Sequence, residues 1–170
     1  MVLRLISGLF IFLLVPLHLS QAYDIPVNIT GNIIIPSCTI NNGNQFTVPF
    51  GAVRVSELGS NPHRQTVTLP VSCPDHQGTA YVRVTGTEVT SSNNNVVQTS
   101  LPGLGIALYQ GDTSTPLQLG QGTSGYGYEL ADNILTEASF TFSAELYKIP
   151  DNTVMPGAFS ATAIISITYR

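Results

Sequence analysis

The stretch FSATAIISITYR, residues 159–170, alternates between apolar and polar side chains with a period of two. One face carries apolar or aromatic residues: Phe159, Ala161, Ala163, Ile165, Ile167 and Tyr169. The other face is polar except at Ile164, and this pattern predicts a β-strand with one buried face. A strand needs a neighbour on each side or a protected edge, and the sequence has no later segment to supply that neighbour.

The first 22 residues have the composition of a secretory signal peptide. Arg4 gives a short positive region, an apolar stretch follows over residues 5–19, and Ser20-Gln21-Ala22 places small residues where a signal peptidase cleaves. We therefore expect export and a mature chain of residues 23–170. A membrane anchor is the alternative, although the apolar run is shorter than the ~20 residues that a membrane span needs.

A second alternation opens the expected mature chain. Alternate positions hold apolar side chains with one glycine among them: Ile25, Val27, Ile29, Gly31, Ile33 and Ile35. This ladder is longer than the first strand of a domain requires, so residues 23–31 are predicted to extend ahead of a single domain at 32–170. An unpaired strand that exposes Ile and Val promotes aggregation unless another sheet receives it.

Cys38 and Cys73 are the two cysteines of the chain. An even number of cysteines in an exported protein predicts a disulfide, which here closes a loop of about 35 residues and stabilises the fold by roughly 4 kcal/mol. Two free thiols or half of a metal site are the alternatives. A zinc site needs four ligands, and His63 and His76 lie in polar, turn-like surroundings, so we predict no metal.

The rest of the chain consists of strand patterns separated by turn clusters. Strands are expected at 33–40, 46–50, 67–73, 80–85, 104–109, 116–119 and 139–146. At most a short helical turn is expected at 53–58 and 130–137, and the glycine-rich GQGTSGYGY is expected to be a loop. Short strands with turns between them predict an all-β protein, a β-sandwich of the immunoglobulin type.

The composition argues against several functions. The mature chain keeps five Lys/Arg against ten Asp/Glu, which disfavours nucleic acid or an anionic membrane as a partner. The sequence contains neither a GxSxG nor an HExxH motif, and its acidic residues are scattered singly. We therefore predict no catalytic residue, no cofactor and no small-molecule substrate; an exported hydrolase would require a clustered acid–base pair.

The two ends of the mature chain complement each other. The last strand lacks a neighbour, whereas the first segment lacks a sheet. If the first segment of one molecule paired with the last strand of another, the main-chain ladder would be completed between chains, and the contact would propagate into a fibre because it is head-to-tail. The alternative is a secreted, monomeric β-sandwich that binds a receptor or a carbohydrate and whose last strand is self-contained.

With these features the sequence resembles the subunits of chaperone–usher pili, the fimbriae of Gram-negative bacteria. Cys38 and Cys73 match the early disulfide of that family. Gly157, fourteenth from the end, and the penultimate Tyr169 match its C-terminal chaperone-recognition strand. Gly31 matches the glycine of its N-terminal donor segment, where only a bare backbone is expected to pass.

The resemblance implies an incomplete immunoglobulin-like β-sandwich that lacks its final strand and carries an N-terminal donor strand. In the family a periplasmic chaperone lends a strand to the groove, holds the edge Phe159 to Tyr169 and grips the terminal carboxylate, here that of Arg170. At the outer-membrane usher, the donor segment of the next subunit replaces the chaperone strand. GNIIIPSCTINNG and GIALYQGDTSTPLQLG look most like a minor tip subunit of the P-type pilus, the adaptor between adhesin and fibrillum, on the cell surface.

Overall fold

The computed structural model describes residues 23–34, 38–59, 63–74, 78–90, 93–131, 135–136 and 138–170. The chain divides into two units, residues 1–33 and 34–170. In the first unit, the described residues 23–33 form neither helix nor strand. The predicted signal peptide lies outside the described residues. No helix within the described ranges is both long enough and apolar enough to span a membrane.

The described part of residues 34–170 is built almost entirely from β-strands. Two single-turn 3-10 helices, Asn41–Gly43 and Val55–Glu57, are its only helical elements. The strands in chain order are β1 (Thr39–Ile40), β2 (Arg64–Ser72), β3 (Ala80–Gly86), β4 (Val96–Gln98), β5 (Leu104–Gln110), β6 (Tyr128–Glu129), β7 (Leu135–Thr136), β8 (Ser139–Lys148) and β9 (Ala163–Tyr169).

These strands form two antiparallel sheets. The larger sheet has the order β1-β2-β8-β5-β4, with β7 also paired to β8, and the smaller sheet has the order β6-β3-β9. Their apolar faces share one core, in which Val82, Phe140 and Ile167 have no exposed surface. The predicted all-β sandwich is therefore confirmed, because the alternating residues of each long strand supply one buried face.

The long alternating segments were predicted well and the short elements less well. Strands β2, β3, β5, β8 and β9 lie where the period-two pattern is clearest. Residues 46–50 do not form the expected strand, and 116–119 form only isolated bridges, such as that between Tyr109 and Pro116. The sequence does not predict β4 and β6, because strands of two or three residues are too short to show a periodic pattern.

The predicted disulfide is present. Cys38 and Cys73 are joined with an S–S distance of 2.08 Å. Cys38 immediately precedes β1 and Cys73 immediately follows β2, and the β1–β2 register pairs Thr39 with Ser72. The two cysteines therefore lie opposite each other across an antiparallel pair, and the disulfide fixes the start of β1 to the end of β2.

The glycine-rich loop, residues 120–128, lies against strand β3. The N–H of Gly120 donates to the carbonyl of Val84 at 2.8 Å. The backbone of Gly127, with φ +132°, passes so close to β3 that a Cβ atom there would overlap the carbonyl of Val82. Gly125 also has a positive φ, +76°, but open space surrounds its Cβ position. The glycines therefore allow the loop to approach β3 at the distance of direct backbone contact.

We predict that Gly127→Ala destabilises the fold much more than Gly125→Ala does. Both changes place a side chain at positive φ, which costs about 1–2 kcal/mol. Only Gly127→Ala adds the overlap with Val82, so its total loss should reach about 2–5 kcal/mol. Urea unfolding measures the difference between the two variants and the parent chain, each carrying a copy of residues 23–33 attached after Arg170 by a flexible linker, so that the edge of β9 is covered. Equal losses would show that the loop does not press on β3.

Candidate functional site at the edge of strand β9

Strand β9 is an edge strand of the smaller sheet. It pairs with β3 along its whole length, from Tyr169 opposite Ala80 to Ala163 opposite Gly86. In an antiparallel pair, successive residues direct their main-chain N–H and C=O groups alternately towards and away from the partner strand. Ile167 directs its carbonyl away from β3, because that oxygen accepts a hydrogen bond from the N–H of Cys38 at 3.2 Å. Ala163 and Ile165 have the same parity and therefore also point outward.

Main-chain hydrogen bonds fix the chain at both ends of β9, and the one to Ile167 lies on the outward edge. At one end Cys38 donates to Ile167. Before the strand begins, the N–H of Ser100 donates to the carbonyl of Ser160 at 2.8 Å. Within the described residues, no main-chain hydrogen bond reaches the outward side of Ala163 or Ile165 between these anchors. We call residues 161–166 the open edge, because its outward donors and acceptors are available to another strand.

An incompletely covered apolar surface lies beside the open edge. Cys38 bonds to Ile167 near one end of β9. The ring centroid of Phe50 lies 6.1 Å from that of Phe159, which precedes the other end of β9. Segment 38–50 therefore runs antiparallel to β9 on its outward side. Val48, Phe50, Phe159 and Ile165 pack on the core but remain partly exposed. Between this segment and β9 there is thus a groove with an open main-chain edge and an apolar floor.

A cavity lies at each end of the predicted chaperone-recognition strand. At the Phe159 end, a cavity of about 250 Å³ is lined by apolar side chains that include Leu101 and Val154. Gly157 is also in its wall, where an added Cβ would lie 3.3 Å from Leu101 Cδ1. At the other end, Tyr169 lines a cavity of about 220 Å³, and burial raises the pKa of its hydroxyl.

The burial along β9 follows the predicted alternation only in part. Ile167 is fully buried and Ile165 and Tyr169 are half-buried, whereas Ile164 is 68% exposed, as its place on the outer face requires. Ala161 and Ala163 belong to the predicted buried face but are exposed, because no described residue covers the open edge above them. The strand also begins at Ala163 and not at Phe159, because its partner β3 ends at Gly86, opposite Ala163, and the chain after Gly86 pairs with β4.

The N-terminal ladder has the exposure that a free donor segment needs. Its large side chains are between 72% and 100% exposed: Ile25, Val27, Ile29 and Ile33. A Cβ added at Gly31 would meet nothing within 4 Å. The pairing of this segment with another molecule stays a prediction.

No metal centre emerges from the described side chains, among which no group of three or more His, Cys, Asp and Glu residues converges. A polar cluster lies on the outer face of the larger sheet, where Arg64 contacts the Glu145 carboxylate at 2.9 Å and lies 4.4 Å from the centroid of the Tyr109 ring. Burial and the Glu145 charge raise the pKa of the Tyr109 hydroxyl. These contacts join β2, β5 and β8 across the outer face of the larger sheet.

Sequence reasoning identified the strand but missed the two anchors that limit the open edge. Both anchors are hydrogen bonds between main-chain atoms, from Cys38 to Ile167 and from Ser100 to Ser160. Any residue other than proline could make them, so no residue type marks them in the sequence. The disulfide was the nearest signal, because it fixes where Cys38 lies.

Comparisons with known proteins agree with this geometry. The model of the fimbrial protein family matches residues 27–170. The fimbrial adapter PapF of Escherichia coli is 39% identical to this chain over 165 residues, which cover 96% of this chain and 98% of that protein. The minor fimbrial protein PrsF of Escherichia coli is 38% identical with the same coverage. A solved structure of the P pilus adaptor subunit PapF superposes with a TM-score of 0.59 at 33% identity, covering 82% of this chain and all of that one. The sandwich is therefore of the immunoglobulin-like kind that pilus subunits share.

We predict opposite sensitivities at two neighbouring isoleucines of β9. Ile167→Ala removes a fully buried side chain and should lower the free energy of unfolding by about 2–5 kcal/mol. Ile164→Ala makes the same chemical change on the exposed face and should cost less than about 0.5 kcal/mol. Urea denaturation of the two variants, each with a copy of residues 23–33 attached after Arg170, compares these losses. A large loss at Ile164 would contradict the assignment of the buried face.

Proposed function

The chain belongs to the fimbrial protein family, and from this premise we propose that it is a structural subunit of an adhesive pilus, acting as a minor adaptor near the tip. The open edge of β9 is the observation that supports this most directly. This seven-residue strand has outward main-chain groups at Ala163 and Ile165 to which no described residue bonds, beside a partly exposed apolar floor. That is the arrangement that an added strand can complete.

In this proposal, the donor segment of a neighbouring subunit enters the groove between segment 38–50 and β9. Its main chain completes the ladder at the open edge, and its alternate apolar side chains cover the floor formed in part by Phe50 and Ile165. Each Ile or Val side chain buried in this way contributes about 1.5–3 kcal/mol. The segment 23–31 of this chain fills the groove of the next subunit in the same manner, ahead of the pilin domain at 32–170.

Before assembly, the groove needs a temporary occupant, because an exposed apolar edge aggregates. We assign that role to a periplasmic chaperone, which lends a strand to β9 and is replaced by a donor segment at the outer-membrane usher. A strand that pairs with β9 as far as Tyr169 has to displace the N–H of Cys38 from Ile167. The chain would therefore exchange one internal hydrogen bond for a longer ladder between molecules.

The proposed role is mechanical and not enzymatic. Similarity to the PapF adapter and the PrsF minor fimbrial protein, over nearly the full length of both, favours a tip adaptor between adhesin and fibrillum. The neighbours would then be an adhesin and a fibrillum subunit, on the cell surface of a Gram-negative bacterium. Assembly needs no nucleotide in this scheme, because the final donor strand packs better than the borrowed one.

We predict that the mature chain needs a strand from outside to accumulate. Expressed in the periplasm without a partner, residues 23–170 should be degraded or aggregate. Co-expression of the cognate chaperone, or attachment of a copy of the 23–33 sequence after Arg170 through a short flexible linker, should yield soluble monomer. The grafted strand should raise the thermal midpoint, since it buries the floor and pairs the open edge. Periplasmic yield and thermal unfolding are the measurements.

The matched control carries the same graft with the apolar residues of its ladder, the copies of Ile25, Val27, Ile29 and Ile33, replaced by Ser. This graft keeps the length and the main chain but cannot cover the floor, so rescue should fail. Abundant stable monomer from the unpartnered chain would overturn the pilus proposal and favour the secreted binding module.

A second prediction separates the two ends of the molecule. Deletion of residues 23–30 removes the donor segment and leaves β9 unchanged. The truncated chain should therefore still co-purify with the chaperone but should not join a fibre, as measured by pull-down and by the content of isolated pili. Loss of chaperone binding in the truncated chain would contradict this division of roles.

A further inference from the structure

Arg170, which follows β9, is held by an aromatic side chain from the glycine-rich loop. The Cζ atom of its guanidinium lies 4.5 Å from the centroid of the Tyr126 ring. The Tyr126 ring in turn lies 6.3 Å from the ring of Tyr81 on β3. A guanidinium over an aromatic face is attracted by the ring quadrupole, so the side chain of Arg170 is bound to the outer face of the smaller sheet.

The main chain of Arg170 is fixed as well. Thr79 donates its N–H to the main-chain oxygen of Arg170 at 2.8 Å, and Arg170 donates its own N–H to the carbonyl of Thr79 at 3.0 Å. Gly78, with φ +80°, lies directly beside this pair, and an added Cβ there would overlap the same oxygen of Arg170. The β3–β9 ladder can therefore continue one residue beyond β9 because Gly78 has no side chain.

Tyr126 is positioned by contacts that do not involve Arg170. Its N–H donates to Ser124 Oγ at 3.2 Å, and that hydroxyl donates to the carbonyl of Gly127 at 3.0 Å. Arg83 on β3 donates from Nη2 to the carbonyl of Gly125 at 2.7 Å. The loop thus holds the Tyr126 ring in place whether or not the end of β9 is ordered.

We propose that Tyr126 and Arg170 form a clasp that positions β9 for its strand-donating partner. An end of an edge strand frays unless it is tied down, and a partner that pairs with a frayed strand must first order it. The clasp removes that cost, because it keeps the end of β9 in the β3 ladder and leaves the outward edge extended. No contact between the described residues joins Tyr126 to the open edge, so Tyr126 acts through Arg170. This inference rests on the proposed function, since it assumes that a partner pairs with β9.

The test measures the dissociation of the complex between the mature chain and its cognate chaperone. Each variant is co-expressed with the chaperone, and the purified complex, with labelled chaperone, is diluted into excess unlabelled chaperone. Tyr126→Ala and Arg170→Ala should each accelerate dissociation by about two- to fivefold, the range expected for an exposed cation–π contact. The complex of the double variant should dissociate no faster than that of the faster single variant, because both changes remove the same contact.

Three controls separate positioning from other effects. Tyr126→Phe keeps the aromatic face and should restore slow dissociation. Arg54→Ala removes a highly exposed cation on a loop preceding β2 and should leave the dissociation rate unchanged. Hydrogen exchange at Arg170 in the chain complemented by the grafted strand should accelerate in Tyr126→Ala, which reports fraying directly.

The outcomes distinguish the clasp from the function on which it rests. If the parent chain forms no complex with the chaperone, the pilus proposal falls and the clasp falls with it. If the complex forms but Tyr126→Ala dissociates at the parent rate, the clasp alone is overturned. Acceleration by Arg170→Ala without acceleration by Tyr126→Ala also overturns it, because Arg170 would then contact the partner directly.

Discussion

The open edge of β9, where no described residue bonds to the outward main-chain groups of Ala163 and Ile165, is the constraint around which this structure is organised. Main-chain N–H and C=O groups must be paired or reach water, and apolar side chains beside them must be covered. The internal strand β3 satisfies one side of β9 completely. On the other side, between Ala163 and Ile167, the described residues provide one main-chain bond, from Cys38 to Ile167. The core of the sandwich is thus well packed, whereas the outward edge of β9 has no paired strand among the described residues.

The anchors decide how much of that boundary is open. The disulfide holds Cys38 at the end of β2, and from there its N–H reaches Ile167. Because the crosslink joins the larger sheet to a residue that contacts β9, it constrains one end of the groove as well as the unfolded chain. At the opposite end, the rings of Phe50 and Phe159 are in contact and bring the two walls of the groove together.

The sequence predicts those features that repeat over many residues and misses those that depend on a single contact. Alternation identified β2, β3, β5, β8 and β9, and the paired cysteines identified the disulfide. Residues 46–50 alternate as a strand does but form none, since the strand that would pair with them is absent from the described chain. The anchors and the close approach of Gly127 to Val82 involve main-chain atoms, so they depend on tertiary geometry that no local pattern encodes.

A comparison of the four sheet edges indicates which of them is built to receive a partner. Folded proteins protect edge strands by keeping them short or by placing charges or proline on them. Among the described strands, the edges β1, β4 and β6 have only two or three residues each. Strand β9 has seven residues, AIISITY, with no charge and no proline. An edge this long and this apolar would be selected against in a protein that works alone, so its lack of protection is itself an argument that another chain normally covers it.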